Sequence, residues 1–188
     1  MIYDVHIQVL LVVYAVIVGI LIACYIMRKQ KKRKLLLWRC LFVLYLLLVM
    51  KVTVFPFTFE HFPWMESASY IAVQWKPFAS IISMAKQKNY IQIVGNIILL
   101  MPLPLLLQGI RAQELSRVKC VISIAVASLS IEVVQLGINL ITKVRNHVFD
   151  VDDLMLNILG GIFLVVLYKP LNFVANAIVS MAAGDEKP

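Results

Sequence analysis

The chain is poor in charge and poorest in acid. Only 15% of its 188 residues are Asp, Glu, Lys or Arg, with 10 acidic against 18 basic. A soluble domain of this size needs more charge than that to cover its surface, so a soluble globular class is set aside. The 3 cysteines, Cys24, Cys40 and Cys120, stand apart, with no C-x-x-C pair and no histidine at ligand spacing. That scarcity argues against a disulfide framework and a zinc site, and no metal or cofactor is expected. The sequence also lacks an H-E-x-x-H pair, a glycine-rich phosphate loop and a nucleophile elbow. No familiar hydrolase or nucleotide-binding chemistry is therefore written in local motifs. The N-terminus carries Asp4 and His6 where a cleavable signal peptide would be basic, so the first apolar run is expected to stay as an anchor.

What the chain has instead is hydrocarbon: 62% hydrophobic residues and a mean hydropathy of +0.89. This places it among all-α integral membrane proteins, as a bundle of about five transmembrane helices in a single membrane domain over 1–188. The net charge of +8 sits in short runs between apolar segments. Such runs report topology and contact with anionic headgroups, so membrane lipids are expected partners and nucleic acid is not.

Apolar windows long enough to cross a bilayer fall at about 7–27, 35–55, 91–107, 118–142 and 151–168. Between the second and third lies an outer segment, 56–90, opened by Pro56 and rich in aromatics (Phe55, Phe57, Phe59, Phe62, Trp64). Further on, Tyr70, Trp75 and Phe78 alternate with Lys76, Lys86 and Lys88, the pattern of an amphipathic or partly re-entrant interfacial element. Pro102 and Pro104 should break the third helix. A C-terminal tail, short and largely apolar, follows Lys169-Pro170. The run from Arg28 to Lys34 and the loop from Gln108 to Lys119 are read as cytoplasmic. The N-terminus is then outside and the C-terminus inside, with roughly twice as many of the 18 Lys and Arg residues on the inner side.

The polar residues are where lipid should forbid them. Ser128, Glu132, Gln135 and Asn139 recur at helical spacing on one stripe, and Asp150, Asp153, Asn157 and Gly160 repeat the pattern on the next helix. Asn96, with Gln92 on the same face of span three, falls at a similar depth, roughly 5 to 15 Å below the outer surface at 1.5 Å per residue. A carboxylate at mid-helix costs about 2.5–3.5 kcal/mol unless paired or hydrated. An outward-facing polar pocket between spans three, four and five follows, with Asn96, Glu132, Gln135, Asp150, Asp153, Asn157, Lys51 and Lys76 as candidate binding residues. Glu132 and Asp153 are the candidates for acid–base catalysis. Each has a plainer role beside it. Asp150 and Asp152 would cap the fifth helix. Gly160 and Gly161 would allow close packing, Ser128 would bond its own helix backbone, and Asn96, Gln135 and Asn157 would tie helices together. Lys51 is either a snorkelling amine or the counter-ion of a carboxylate on another helix. His147 is read as a solvated loop side chain.

Four segments carry a resemblance. Trp75-Lys76-Pro77-Phe78, Gly95-Asn96-Ile97-Ile98-Leu99-Leu100-Met101-Pro102, Ser128-Leu129-Ser130-Ile131-Glu132-Val133-Val134-Gln135 and Phe149-Asp150-Val151-Asp152-Asp153, continuing to Gly160-Gly161, are similar to the VanZ-like family of bacterial membrane proteins. The similarity covers about 41–168. The chain departs from the family in having Pro102-Leu103-Pro104 where Pro-Phe-Gly is frequent, and His147 where many members place an arginine. Arg145 or Lys51 would then have to supply that charge. The resemblance implies an envelope role linked, through the founding member, to low-level teicoplanin resistance. Its implied ligand is a lipid-linked cell-wall precursor or a lipoglycopeptide. Two further readings stand beside it: a membrane enzyme acting on a lipid-linked substrate through Glu132 and Asp153, and a structural partner of another membrane protein.

Overall fold

A computed structural model of the chain describes residues 2–4, 6–27, 33–55, 57–58, 71–111 and 115–184. The helices are α1 (Ile7–Met27), α2 (Arg33–Thr53), α3 (Ala79–Lys86), α4 (Tyr90–Leu99), α5 (Pro102–Arg111), α6 (Arg117–Thr142) and α7 (Val151–Ala183). Four two-residue strands, β1 (Ile2–Tyr3), β2 (Phe57–Thr58), β3 (Val73–Gln74) and β4 (Phe149–Asp150), pin the connections. β1 pairs antiparallel with β2, and β3 pairs parallel with β4. Residues 28–32 of the basic run, Pro56, Phe59, Phe62, Trp64 and Tyr70 of the aromatic segment, and the charged end 185–188 lie outside the described residues.

The protein is an all-α membrane protein. Among the described residues, four helical units are long and apolar enough to cross a bilayer: α1, α2, α4 with α5 taken together, and α6. α1 is apolar around its whole circumference and buries no residue, the mark of a helix that meets lipid on most sides. α7 is longer than the 151–168 expected from hydropathy. It continues through Pro170 to Ala183 as one helix, where a tail was expected. The proline removes one ladder bond, but Val179 beyond it packs with Trp38 and Leu106, and that burial holds the last turns helical.

The expected break in the third span is present at Leu100–Met101. Pro102 has no N–H to offer the Ile98 carbonyl, which accepts instead from Met101 N–H at 3.3 Å. Leu103 N–H turns to the Leu100 carbonyl at 3.2 Å. The Leu99 carbonyl, thereby stripped of its ladder partner, accepts from the Tyr45 hydroxyl of α2 at 3.1 Å. A neighbouring helix thus satisfies the backbone that the proline freed.

Two close approaches set the helix positions. A Cβ on Gly160 would lie 1.9 Å from the Ile97 carbonyl oxygen, so α4 and α7 touch backbone to backbone there. A Cβ on Gly109 would lie 2.0 Å from the Trp38 ring, which therefore lies directly on α5. Between these points Leu100, Ile124 and Leu164 form the mid-bundle core. The outer segment, where described, is folded against the bundle: β3 leads into the short helix α3, which buries Met84 and abuts α4 and α7.

Candidate functional site

The polar stripe of α6 meets a different partner at every step. Ser128 accepts from Asn157 of α7 at 2.9 Å. Glu132, 2% exposed, accepts the Asp150 backbone N–H at 2.9 Å through Oε2. Gln135 donates to the Thr53 carbonyl at the end of α2 at 2.7 Å. Asn139, fully buried, accepts the N–H groups of Asn146 and His147, both at 3.0 Å, and donates to the His147 carbonyl at 2.7 Å. One helix face therefore fixes α7, β4, α2 and the loop 143–148, which is why a stripe of buried amides and an acid is tolerated.

The second anchor is Asp152, which no solvent reaches. Its carboxylate accepts the backbone N–H groups of Phe78 at 2.6 Å, Ser80 at 2.8 Å and Ile81 at 3.1 Å. It caps α3 from another element. Phe78 sits in the left-handed region, with φ 66°, so that these donors converge. Three bonds to a charged acceptor offset the strain of that conformation. Asp150 meanwhile caps α7, accepting the Asp152 N–H at 2.9 Å. Phe149 N–H bonds the Ala72 carbonyl at 2.9 Å, and its ring lies 5.5 Å from that of Trp75. The Trp-Lys-Pro-Phe and Phe-Asp-Val-Asp-Asp segments are thus two halves of one joint.

The joint closes one side of a cleft of about 380 Å³, lined by Ser80, Ser83 and Met84 of α3, Gln92 of α4, Gln135 of α6, Asn146, His147 and Val148 of the loop, and Asp150 and Asp153. Asp153, half-buried, accepts a bond from the Asn96 side chain across the α4–α7 contact that Gly160 permits. Among the described residues the lining contains two carboxylates and no lysine or arginine. Among the described residues, no group of three or more His, Cys, Asp and Glu is placed to hold a metal ion.

Of the residues singled out from sequence, Gln135, Asp150 and Asp153 line the cleft, and Asn96 reaches it through Asp153. Glu132 and Asn157 stand behind it as parts of the wall. Lys51 pairs with Asp4, ahead of α1, and Lys76 is solvent-exposed; neither lines the cleft, nor does Arg145. His147, read from sequence as solvated, is half-buried and faces the cleft, and its Nε2 is buried without a partner among the described residues. Burial holds its imidazole below the ordinary value, opposed by a bond to the backbone of Val54.

Sequence reasoning missed the work of Asp152, Asn146 and Asn139. Asn146 accepts from Thr58 N–H at 2.7 Å and donates to the Thr58 carbonyl at 3.1 Å, which ties β2, and through it β1, to the cleft rim. The N-terminal strand and the cleft therefore share one face of the bundle. The signal for Asp152 was its place at the start of a helix, which reads as that helix's own cap and hides a distant partner.

A family model described as VanZ/LLP1 matches residues 42–175. No curated protein and no solved structure matches the chain. The matched region runs from α2 into α7, contains every residue of the cleft and leaves α1 outside.

Proposed function

The chain belongs to the VanZ/LLP1 family, and on that premise we propose that it acts at the bacterial envelope to lower the effect of lipoglycopeptides such as teicoplanin. In this reading the cleft holds the polar group of a lipid-linked cell-wall component or of the antibiotic itself. The observation that carries it is convergence: four segments far apart in sequence, each a piece of the family resemblance, build one acid-lined recess. Asp153 is the group that meets the ligand, with Asp150, Gln135 and Gln92 around it and Asn96 orienting the carboxylate. Two carboxylates and no cation among the described lining residues favour ammonium and hydroxyl donors over phosphate. Lys76, exposed beside the joint, would meet an anionic headgroup, and Lys51 with Asp4 would hold the N-terminal segment in place. The protein would be a multi-pass protein of the cell membrane with both N-terminus and cleft outside, as the shared face and the basic loops support.

Teicoplanin and vancomycin susceptibility of a sensitive host expressing wild type or Asp153→Asn, at matched membrane levels, tests this. Protection against teicoplanin is expected from wild type and lost in the variant; equal protection by both overturns the reading.

One observation favours a second reading, an enzyme acting on a lipid-linked substrate. Ser80, Ser83, His147 and Asp153 line the same cleft. Glu132 is bonded into the wall, so the acid–base pair would be His147 with Asp153 in place of Glu132 with Asp153. Turnover of a labelled cell-wall lipid by the purified protein, abolished in His147→Gln, would establish it.

A further inference from the structure

The polar cleft lies at one end of the bundle, and an apolar recess opens on its flank. The recess has a volume of about 410 Å³ and lies between α2 and α6, with Leu100 and Leu103 from the helix break also lining it. Three hydroxyl-bearing residues touch it, and each hydroxyl is spent on backbone: Tyr45 on the Leu99 carbonyl, Thr53 on that of Val49 and Ser130 on that of Val126. The recess therefore offers hydrocarbon alone, and a polar ligand would lose its hydration there for no return.

Its length selects the occupant. From Tyr45 to Thr53 along α2 it runs about 12 Å at the helical rise, close to half of the ~30 Å hydrocarbon core. A partner helix would seek a seat through the full thickness, whereas a hydrocarbon chain anchored in one leaflet fills that half. The recess also adjoins the cleft. Val134 lines the recess and Gln135, its neighbour in the chain, lines the cleft, while the Gln135 amide is bonded to Thr53 at the recess end.

We propose that this recess seats one hydrocarbon chain of a lipid-anchored molecule whose polar group lies in the cleft, so that the protein grips an amphiphile along one leaflet. The proposal rests on the reading of the cleft as a polar-group site. It also accounts for three of the five residues of the α6 motif that the buried stripe leaves over: Ser130, Ile131 and Val134 line the recess, while Ser128, Glu132 and Gln135 hold the cleft.

The full-length protein is reconstituted in phosphatidylcholine vesicles containing a phospholipid with a diazirine in its acyl chain, irradiated, and its adducts mapped by peptide mass spectrometry. Adducts are expected several-fold enriched on Val49, Met50 and Val134 over Val12, Val16 and Ile20 of α1, which are exposed apolar positions outside the recess. Ser130→Phe and Val134→Phe, both at exposed positions, fill the recess and remove the enrichment. Val133→Phe, also exposed but outside the recess lining, leaves it intact. Equal labelling of recess and α1 in wild type overturns the proposal without recourse to any variant, as does enrichment that persists in both phenylalanine variants. Antibiotic susceptibility of Asp153→Asn separates the two layers. Equal labelling with protection lost in Asp153→Asn removes the chain seat and keeps the cleft. Enriched labelling with protection unchanged in Asp153→Asn keeps the seat and removes the cleft reading.

Discussion

Asp152 shows how one buried side chain can hold two distant segments. Its carboxylate is the cap of α3, accepting the backbone N–H groups of Phe78, Ser80 and Ile81. Asp152→Ala should cost about 3–5 kcal/mol, as expected when a buried charged acceptor is removed from several donors. Hydrogen exchange in detergent should localise the loss to 78–86, and unchanged protection there would refute the clamp. His147 gives the pH dependence. Burial holds its folded-state proton affinity below that of the unfolded chain, so unfolding takes up a proton as pH falls. The stability it contributes is complete above the ordinary histidine value and is lost as pH drops through the lowered one. Thermal midpoints between about pH 5 and 8 should fall on the acid side, and His147→Gln should flatten that slope. Glu132 was legible from sequence as a residue that packing alone would not require. Its partner, a backbone N–H 18 positions onward, was not legible.

At the scale of elements, the cleft depends on the α4–α7 contact. The two neighbouring glycines of α7 differ in what they tolerate. A Cβ at Gly160 would meet the Ile97 carbonyl oxygen at 1.9 Å, and one at Gly161 would meet only Ile124 Cδ1 at 3.0 Å. Gly160→Ala should therefore push the helices apart, destabilise by about 2–3 kcal/mol through overpacking against backbone and weaken the Asn96–Asp153 bond. Gly161→Ala should cost less than about 1 kcal/mol, because a side-chain end can turn aside. Unfolding by graded SDS, compared for the two variants, reads the difference; equal loss would contradict the close approach. The long apolar helices were legible because hydropathy over some 20 residues is a local property, and the proline break was legible because a missing N–H is one too. The helical continuation past Pro170 was not. It depends on Val179 meeting Trp38, far away in the chain.

For the whole molecule, the N-terminal strand, the loop 143–148 and the cleft gather on one face. A cysteine placed at Lys76 in a chain whose own cysteines are replaced should react with a membrane-impermeant maleimide in intact cells. One at Lys34 should react only after permeabilisation, and the reverse pattern would invert the topology. The sequence by itself determined the membrane class, the long apolar helices and the polar stripes they carry, because hydropathy and helical spacing are written locally along the chain. Only the tertiary structure decided which of those polar residues face the cleft and which hold its walls. That choice depends on partners tens of residues away, such as Asp152 with Phe78 and Asn146 with Thr58, and no local spacing encodes them.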